Sequence, residues 1–249
     1  MALPVHPHRG EVAFVGYTDA AWGCRADGSS QGGFLVFMCD IGYLSGKPGP
    51  LTLISWDSHK LTRICRSSLA AEIQGIADGL DELDFCRLAW REIEFGDVDL
   101  RNYTAALRQV PATLVSDCRS FYDSINAYES SNLGVKDKRS SIEALAIKQT
   151  VVETETPVAW CNSDAQLSDG MTKGKAAWKL IEFFTRHRAQ WRLTYDDRIL
   201  SAKRRKALGL GPLDEALALL APPQFLQHLQ QVAMQGNWTE PGTMRWGSP

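Results

Sequence analysis

The stretch Glu11-Val12-Ala13-Phe14-Val15-Gly16-Tyr17-Thr18-Asp19-Ala20-Ala21-Trp22 decides how this chain is read. Its β-branched and aromatic residues predict a strand over 11–18. At the C-terminal end of that strand stands one carboxylate, Asp19, followed by small residues and a turn. A carboxylate at the mouth of an apolar strand is costly near a core unless something compensates its charge. Taken alone, Asp19 reads as a solvated loop acid. Three further acids in matching settings change that reading.

On the N-terminal side, Pro4, Pro7, His6 and His8 mark residues 1–10 as a disordered lead-in. On the C-terminal side a turn-rich segment from Gly23 to Gly33 leads to a second, buried strand, Phe34–Cys39. A Gly- and Pro-rich turn (Gly42 to Pro50) then leads to a third, Leu51–Trp56. Three strands joined by short turns form an antiparallel meander.

From Ser67-Ser68, which read as N-caps, the period changes. Apolar residues fall at Leu69, Ile73, Ile76, Leu80, Leu83 and Trp90, the spacing of one long helix. Glu72 lies one turn from Leu69 and Ile76, at the edge of the buried stripe and beside the sheet. Gly75 and Gly79 each cost about 1 kcal/mol in a helix interior, so something packs closely there, sheet or substrate. After an irregular stretch, Gly96 to Gln109, a fourth strand (111–116) ends in Asp117 and runs into a helix reaching about Ala127. If the first and fourth strands are adjacent and parallel, Asp19 and Asp117 meet at one edge of the sheet, where ligands of open α/β sheets collect.

A helix at about 138–150 is expected to present Ile142, Leu145 and Ala146 on one face. Lys136, Lys138 and Arg139 at its start read as a solvated face, or, near an acidic centre, as a hold on a phosphate backbone. A short fifth strand, Thr156–Cys161, precedes the turn Asn162–Lys173, which carries Asp169. A helix over about 174–188 and a strand-like piece, Trp191–Tyr195, close a domain spanning 11–195. Residues 196–249, including the basic run Lys203-Arg204-Arg205-Lys206, read as a helical or partly disordered appendage.

With 249 residues, 44% of them hydrophobic, the chain can bury a sizeable core. Its formal net charge of -2 means that a nucleic-acid partner would be held by a local basic patch and not by a global field. The six cysteines form no C-x-x-C pair, which argues against a zinc site and a disulfide framework and for a reducing compartment. The start of the chain lacks a signal pattern and no apolar run reaches the ~18 residues of a membrane span, so the expectation is an intracellular protein, cytoplasmic or nuclear, with no membrane partner.

The ordered acids Asp19, Glu72, Asp117 and Asp169 fit two-metal phosphoryl chemistry. Mg²⁺ takes oxygen ligands and leaves room for phosphates and water, and two ions roughly 4 Å apart stabilise both the attacking and the leaving oxygen. Four carboxylates in one place repel each other unless cations or protons intervene.

These residues stand in a run of motifs: Gly16-Tyr-Thr-Asp19-Ala-Ala-Trp22, Gln31-Gly-Gly-Phe-Leu-Val-Phe37, Ile54-Ser-Trp56, Ser67-Ser-Leu-Ala-Ala-Glu72, Val115-Ser-Asp117, Lys138-Arg139 leading to Ile142-Glu143, and Asp164-Ala-Gln-Leu-Ser-Asp169-Gly-Met-Thr-Lys173. In this order and spacing the chain, over about residues 11–190, resembles the ribonuclease H domain of copia-type LTR retrotransposon (retrovirus-related) Pol polyproteins. The resemblance implies an α/β ribonuclease H-like fold, a five-stranded mixed sheet of three antiparallel strands and then two parallel ones, flanked by helices. It implies that Asp19, Glu72, Asp117 and Asp169 are the catalytic and metal-binding acids, holding two Mg²⁺ ions for which Mn²⁺ can substitute. The implied reaction is endonucleolytic cleavage of the RNA strand of an RNA–DNA hybrid. RNA would be recognised through its 2′-hydroxyls. Ser116, Cys118, Ser120, Lys138, Arg139 and Lys173 are the expected substrate contacts, and the reverse transcriptase of the parent element an expected partner. The chain departs from the family pattern at Ala21, often acidic there, and in Leu69-Ala-Ala-Glu-Ile73, where Thr-Glu-Ala-Glu-Tyr is usual; residues 161–168 hold no histidine. The alternative is an inactive, element-derived module that binds nucleic acid or protein.

Overall fold

The computed structural model describes residues 3–8, 10–126 and 137–193. The appendage, the basic run 203–206, Lys136 and the loop before it lie outside the described residues.

The opening stretch forms β1 (Val12–Ala21), two residues longer than needed to reach Asp19, so that Asp19 sits inside the strand. It pairs antiparallel with β2 (Gln31–Asp40). β2 pairs antiparallel with β4 (Thr52–Lys60), after a two-residue β3 (Gly49–Pro50). The long helix α1 (Ser68–Phe95) starts where expected, the Ser67 side chain accepting the Ala70 N–H. A short helix, α2 (Tyr103–Arg108), occupies the stretch read as irregular. β5 (Ala112–Ser116) then pairs parallel to β1 and leads into α3 (Arg119–Asn126). Helix α4 (Lys138–Glu153) precedes β6 (Val158–Trp160), which is parallel to β5. The chain continues through α5 (Asp169–Thr172) and α6 (Ala177–Thr185) to β7 (Gln190–Trp191).

The main sheet therefore has five strands in the order β4-β2-β1-β5-β6, antiparallel on one side of β1 and parallel on the other. This mixed α/β sheet with flanking helices is the architecture that the sequence resemblance implies. The sequence reading did not anticipate the second pairing, β3 with β7, in which Gly49-Pro50 meets Gln190-Trp191.

Alternation along β1 separates two cores. Ala13, Val15 and Tyr17 face Leu167, Phe183 and Trp191. Phe14 faces Ile73, Ile76, Leu80 and Leu83 of α1 and Ile147 of α4. Gly75 and Gly79 answer the question of close packing in favour of the sheet. A Cβ on Gly79 would fall 2.2 Å from Thr18 Cγ2, and one on Gly75 would fall 3.1 Å from the Asp19 carbonyl oxygen. Helix α1 can lie on β1 this closely because neither position carries a side chain.

One expectation is corrected. Helix α4 buries Ser140, Ala144 and Ile147, while Ile142, Leu145 and Ala146 are exposed. The seam follows the side of α4 that packs against α1, with Ser140 and Ala144 in it and Ile147 joining the core of Ile73 and Leu80. Within the segment read as a lead-in, the His6 N–H donates to Thr52 Oγ1 at 3.1 Å, and His8 Nδ1 stands 3.4 Å from Asp40 Oδ1.

Candidate metal centre

Register places the first two acids. Tyr17 of β1 aligns with Val115 of β5 in the parallel pair, so Asp19 and Asp117, each two residues further on, emerge side by side. The third acid arrives through a glycine. Asp19 aligns with Gly33 on β2, where a Cβ would fall 2.6 Å from the Met171 Cβ and 3.1 Å from Thr172 Cγ2. Gly32-Gly33, read from sequence as part of a turn, is strand backbone: a Cβ on Gly32 would fall 2.5 Å from Leu61 Cδ2, and Gly33 is left bare so that α5 can lie across it. This lays Asp169 and Thr172 against Asp19. One carboxylate oxygen each from Asp19, Asp117 and Asp169 lies within 4.8 Å of the others. Asp19 and Asp169 are buried and Asp117 is half-buried.

Glu72 stands beside this trio and outside it: its Oε2 accepts the Ala20 N–H at 3.2 Å. Burial, then the charges of Asp19 and Asp117, push its pKa up to about 9. Burial likewise pushes Asp19 up to about 6; Lys173 and Thr172 oppose the rise, and Asp169 and Asp117 add to it. The acids are therefore short of positive charge.

Two lysines supply part of it. Lys173 Nζ lies 2.6 Å from Asp169 Oδ1 and 3.3 Å from Asp19 Oδ1. Burial works against the Lys173 charge, but Asp19 and Asp169 outweigh it and raise the pKa of the ammonium. Lys179, from α6, donates to Asp169 Oδ2 and to the Ser163 carbonyl. The Thr172 hydroxyl donates to Asp19 Oδ2, and Ser163 Oγ donates to Asp117 Oδ2 at 2.6 Å. Sequence reasoning named Lys173 as a substrate neighbour and missed Lys179, Thr172 and Ser163. A helix Lys ten residues after an acid carries no local signal of contact.

The other expected substrate contacts are dispersed. Ser116 is fully buried, and its hydroxyl accepts the Cys118 N–H at 3.1 Å, closing the turn out of β5. Cys118 is half-buried and within 3.5 Å of the Ser120 hydroxyl, which is exposed. Lys138 and Arg139 are exposed at the start of α4. Arg139 lines a cavity of about 300 Å³ with Arg63, Arg66, Gln74 and Glu143, between α1 and α4; none of the four acids lines it.

The donor set fits a hard divalent cation: all-oxygen, carboxylate-rich and partly desolvated. All six cysteines are free, and no zinc-type cluster accompanies the acids among the described residues. No helix among the described residues is long and apolar enough to cross a membrane.

No family model matches the chain, and no curated protein does. Among solved structures it is similar to the PFV RNase H domain, at 14% identity over 68% of this chain and 95% of that one, with a TM-score of 0.38. It is also similar to prototype foamy virus protease–reverse transcriptase (16% identity, 72% of this chain and 21% of that one, TM-score 0.36). A third likeness is to the foamy viral protease–reverse transcriptase in complex with an RNA/DNA hybrid (13% identity, 63% of this chain and 18% of that one, TM-score 0.36). The chain thus spans under a quarter of the length of the protease–reverse transcriptases. At such identities and TM-scores the functional reading rests on the site's own geometry.

Proposed function

We propose that this chain is a metal-dependent endonuclease of ribonuclease H type. It hydrolyses the RNA strand of RNA–DNA hybrids and derives from a copia-type retrotransposon polyprotein, whose reverse transcriptase would be its partner. The observation that carries the reading is the convergence of Asp19, Asp117 and Asp169 within 4.8 Å, with Glu72 beside them.

In this reading the four acids hold two Mg²⁺ ions, or Mn²⁺. When bound, such ions lower the pKa of water and stabilise charge on phosphoryl oxygens. The chain's own contribution is placement. Strand register sets Asp19 beside Asp117, Gly33 admits Asp169, and Ser163, Thr172 and Lys179 fix the orientation of the three carboxylates. Glu72, which burial keeps protonated near neutral pH, would ionise once cations offset its neighbours.

A second reading, an inactive binding module, draws on the two lysines, which already offset part of the acids' charge without metal. Cleavage of a labelled RNA–DNA hybrid, with Mg²⁺ or Mn²⁺ and with EDTA as control, separates the two. The expected result is metal-dependent cutting of the RNA strand that falls by about 10³-fold or more in Asp117→Asn, with the fold retained. Unchanged cutting in that variant would reject the site. A folded protein that binds hybrid and does not cut it would establish the binding module.

A further inference from the structure

Every carboxylate oxygen of Asp19 and Asp169 already has a donor. Asp19 Oδ1 and Asp169 Oδ1 share the Lys173 ammonium, at 3.3 and 2.6 Å. Asp19 Oδ2 accepts the Thr172 hydroxyl, and Asp169 Oδ2 accepts Lys179. A divalent ion and an ammonium cannot both draw on the Oδ1 pair, because each needs the same lone pairs and the same space.

The two lysines differ in how they are held. Lys179 has a side chain only 9% exposed and is also tied to the Ser163 carbonyl, so its withdrawal would open the turn that carries Asp169. The Lys173 side chain is 42% exposed and reaches the acids from the solvent side on a flexible four-carbon stem. It can leave without disturbing the core.

We propose that Lys173 is a tethered cation that occupies the Asp19–Asp169 pair in the free protein and competes with the metal ion for it. The inference rests on the reading of these acids as metal ligands. It makes Lys173 a positioning residue with two states: an internal counter-ion when metal is absent, and a displaced ammonium at the rim of the site when metal is bound. Lys179 and Thr172 keep the carboxylates oriented through the exchange.

The test is Mn²⁺ affinity, measured by titration calorimetry on the full chain without nucleic acid. Lys173→Met removes the charge and keeps the length of the side chain; Lys173→Arg keeps the charge. Competition predicts that Lys173→Met binds Mn²⁺ about tenfold or more tighter than the native chain, while Lys173→Arg stays near the native affinity. It also predicts a larger rise in melting temperature on adding Mn²⁺ for Lys173→Met than for the native chain. Should Lys173→Met fail to fold, Lys173→Gln, which still donates to Asp169 without a charge, serves the same comparison. Native binding matched or weakened in the neutral variants would overturn the competition and leave the acids standing as metal ligands. Equal tightening in Lys173→Arg would overturn it as well, since the effect would then not be one of charge. If none of the folded proteins binds Mn²⁺, the metal reading falls and this inference with it.

Discussion

Helix α1 carries two ionisable side chains against the body of the protein, Arg87 and the half-buried Glu72, fifteen residues apart and roughly 22 Å along its axis at 1.5 Å per residue. They are solved in opposite ways. At the far end, Arg87 is fully buried, and its five N–H groups meet five acceptors: the Val110, Leu107 and Thr154 carbonyls, Thr156 Oγ1 and Asp84 Oδ1. The charge is balanced by one acid and the geometry is closed. At the near end, Glu72 faces Asp19 and Asp117 with like charge, and its pKa rises to about 9. The first arrangement ties α1 to the approaches of β5 and β6. The second is held in place by the fold although its acids disfavour each other's ionised forms.

Breaking the closed end should have the largest effect on stability. Arg87→Met strands five acceptors, the Asp84 carboxylate among them, in a dry setting, and is expected to cost about 3–5 kcal/mol in a urea melt. A loss within 1 kcal/mol would mean that the five contacts are not what holds α1 to the loops behind it.

The open end should show itself through pH. Glu72 and Asp19 bind their protons more tightly folded than unfolded, so the native state holds more protons above the ordinary carboxylate range. Metal-free stability therefore falls as pH rises from about 4.5 toward 9, by on the order of 3 kcal/mol, and Mg²⁺ should restore much of it. His59 pulls in the same direction. Its hydrogen bond to Asp78, helped by Asp57 and opposed by burial, raises its pKa, so its stabilising contribution is complete below the unfolded pKa of about 6.5 and is lost as pH rises through the folded value. Glu72→Gln removes the Glu72 share: the fall in stability toward pH 9 should shrink while the Asp19 and His59 parts stay. A profile identical to that of the native chain would contradict the repulsion argued for Glu72.

The smallest effect probes the ground between the two ends. Gly79→Ala drives a Cβ into Thr18 and should cost about 1–2 kcal/mol net, overpacking outweighing the helix propensity of alanine. A stabilised variant would show that the α1–β1 contact is looser than described.

Much of this frame is legible in local pattern. The cap at Ser67, the apolar stripe from Ile73 to Leu83 and the strand-end position of Asp117 follow from periods and capping chemistry. Other features are not. The seam of α4 is made of Ser140, Ala144 and Ile147, while Ile142 and Leu145 face outward, so hydropathy points to the wrong face. Gly32-Gly33 looks like a turn because glycine marks both turns and close approaches, and only the neighbour tells which. Arg87 reads as a surface charge until its five partners, from three separate segments, are brought together.

By itself the sequence determined the strands, the long helix and the four acids, because periodicity and capping are properties of neighbouring residues. It also carried the resemblance on which the proposed chemistry rests. Only the tertiary structure decided which acids meet, that Glu72 stands beside the trio, and that Lys173 and Lys179 reach into it. Those are distances between residues remote in the chain, set by strand register and by where a missing Cβ lets one element lie against another.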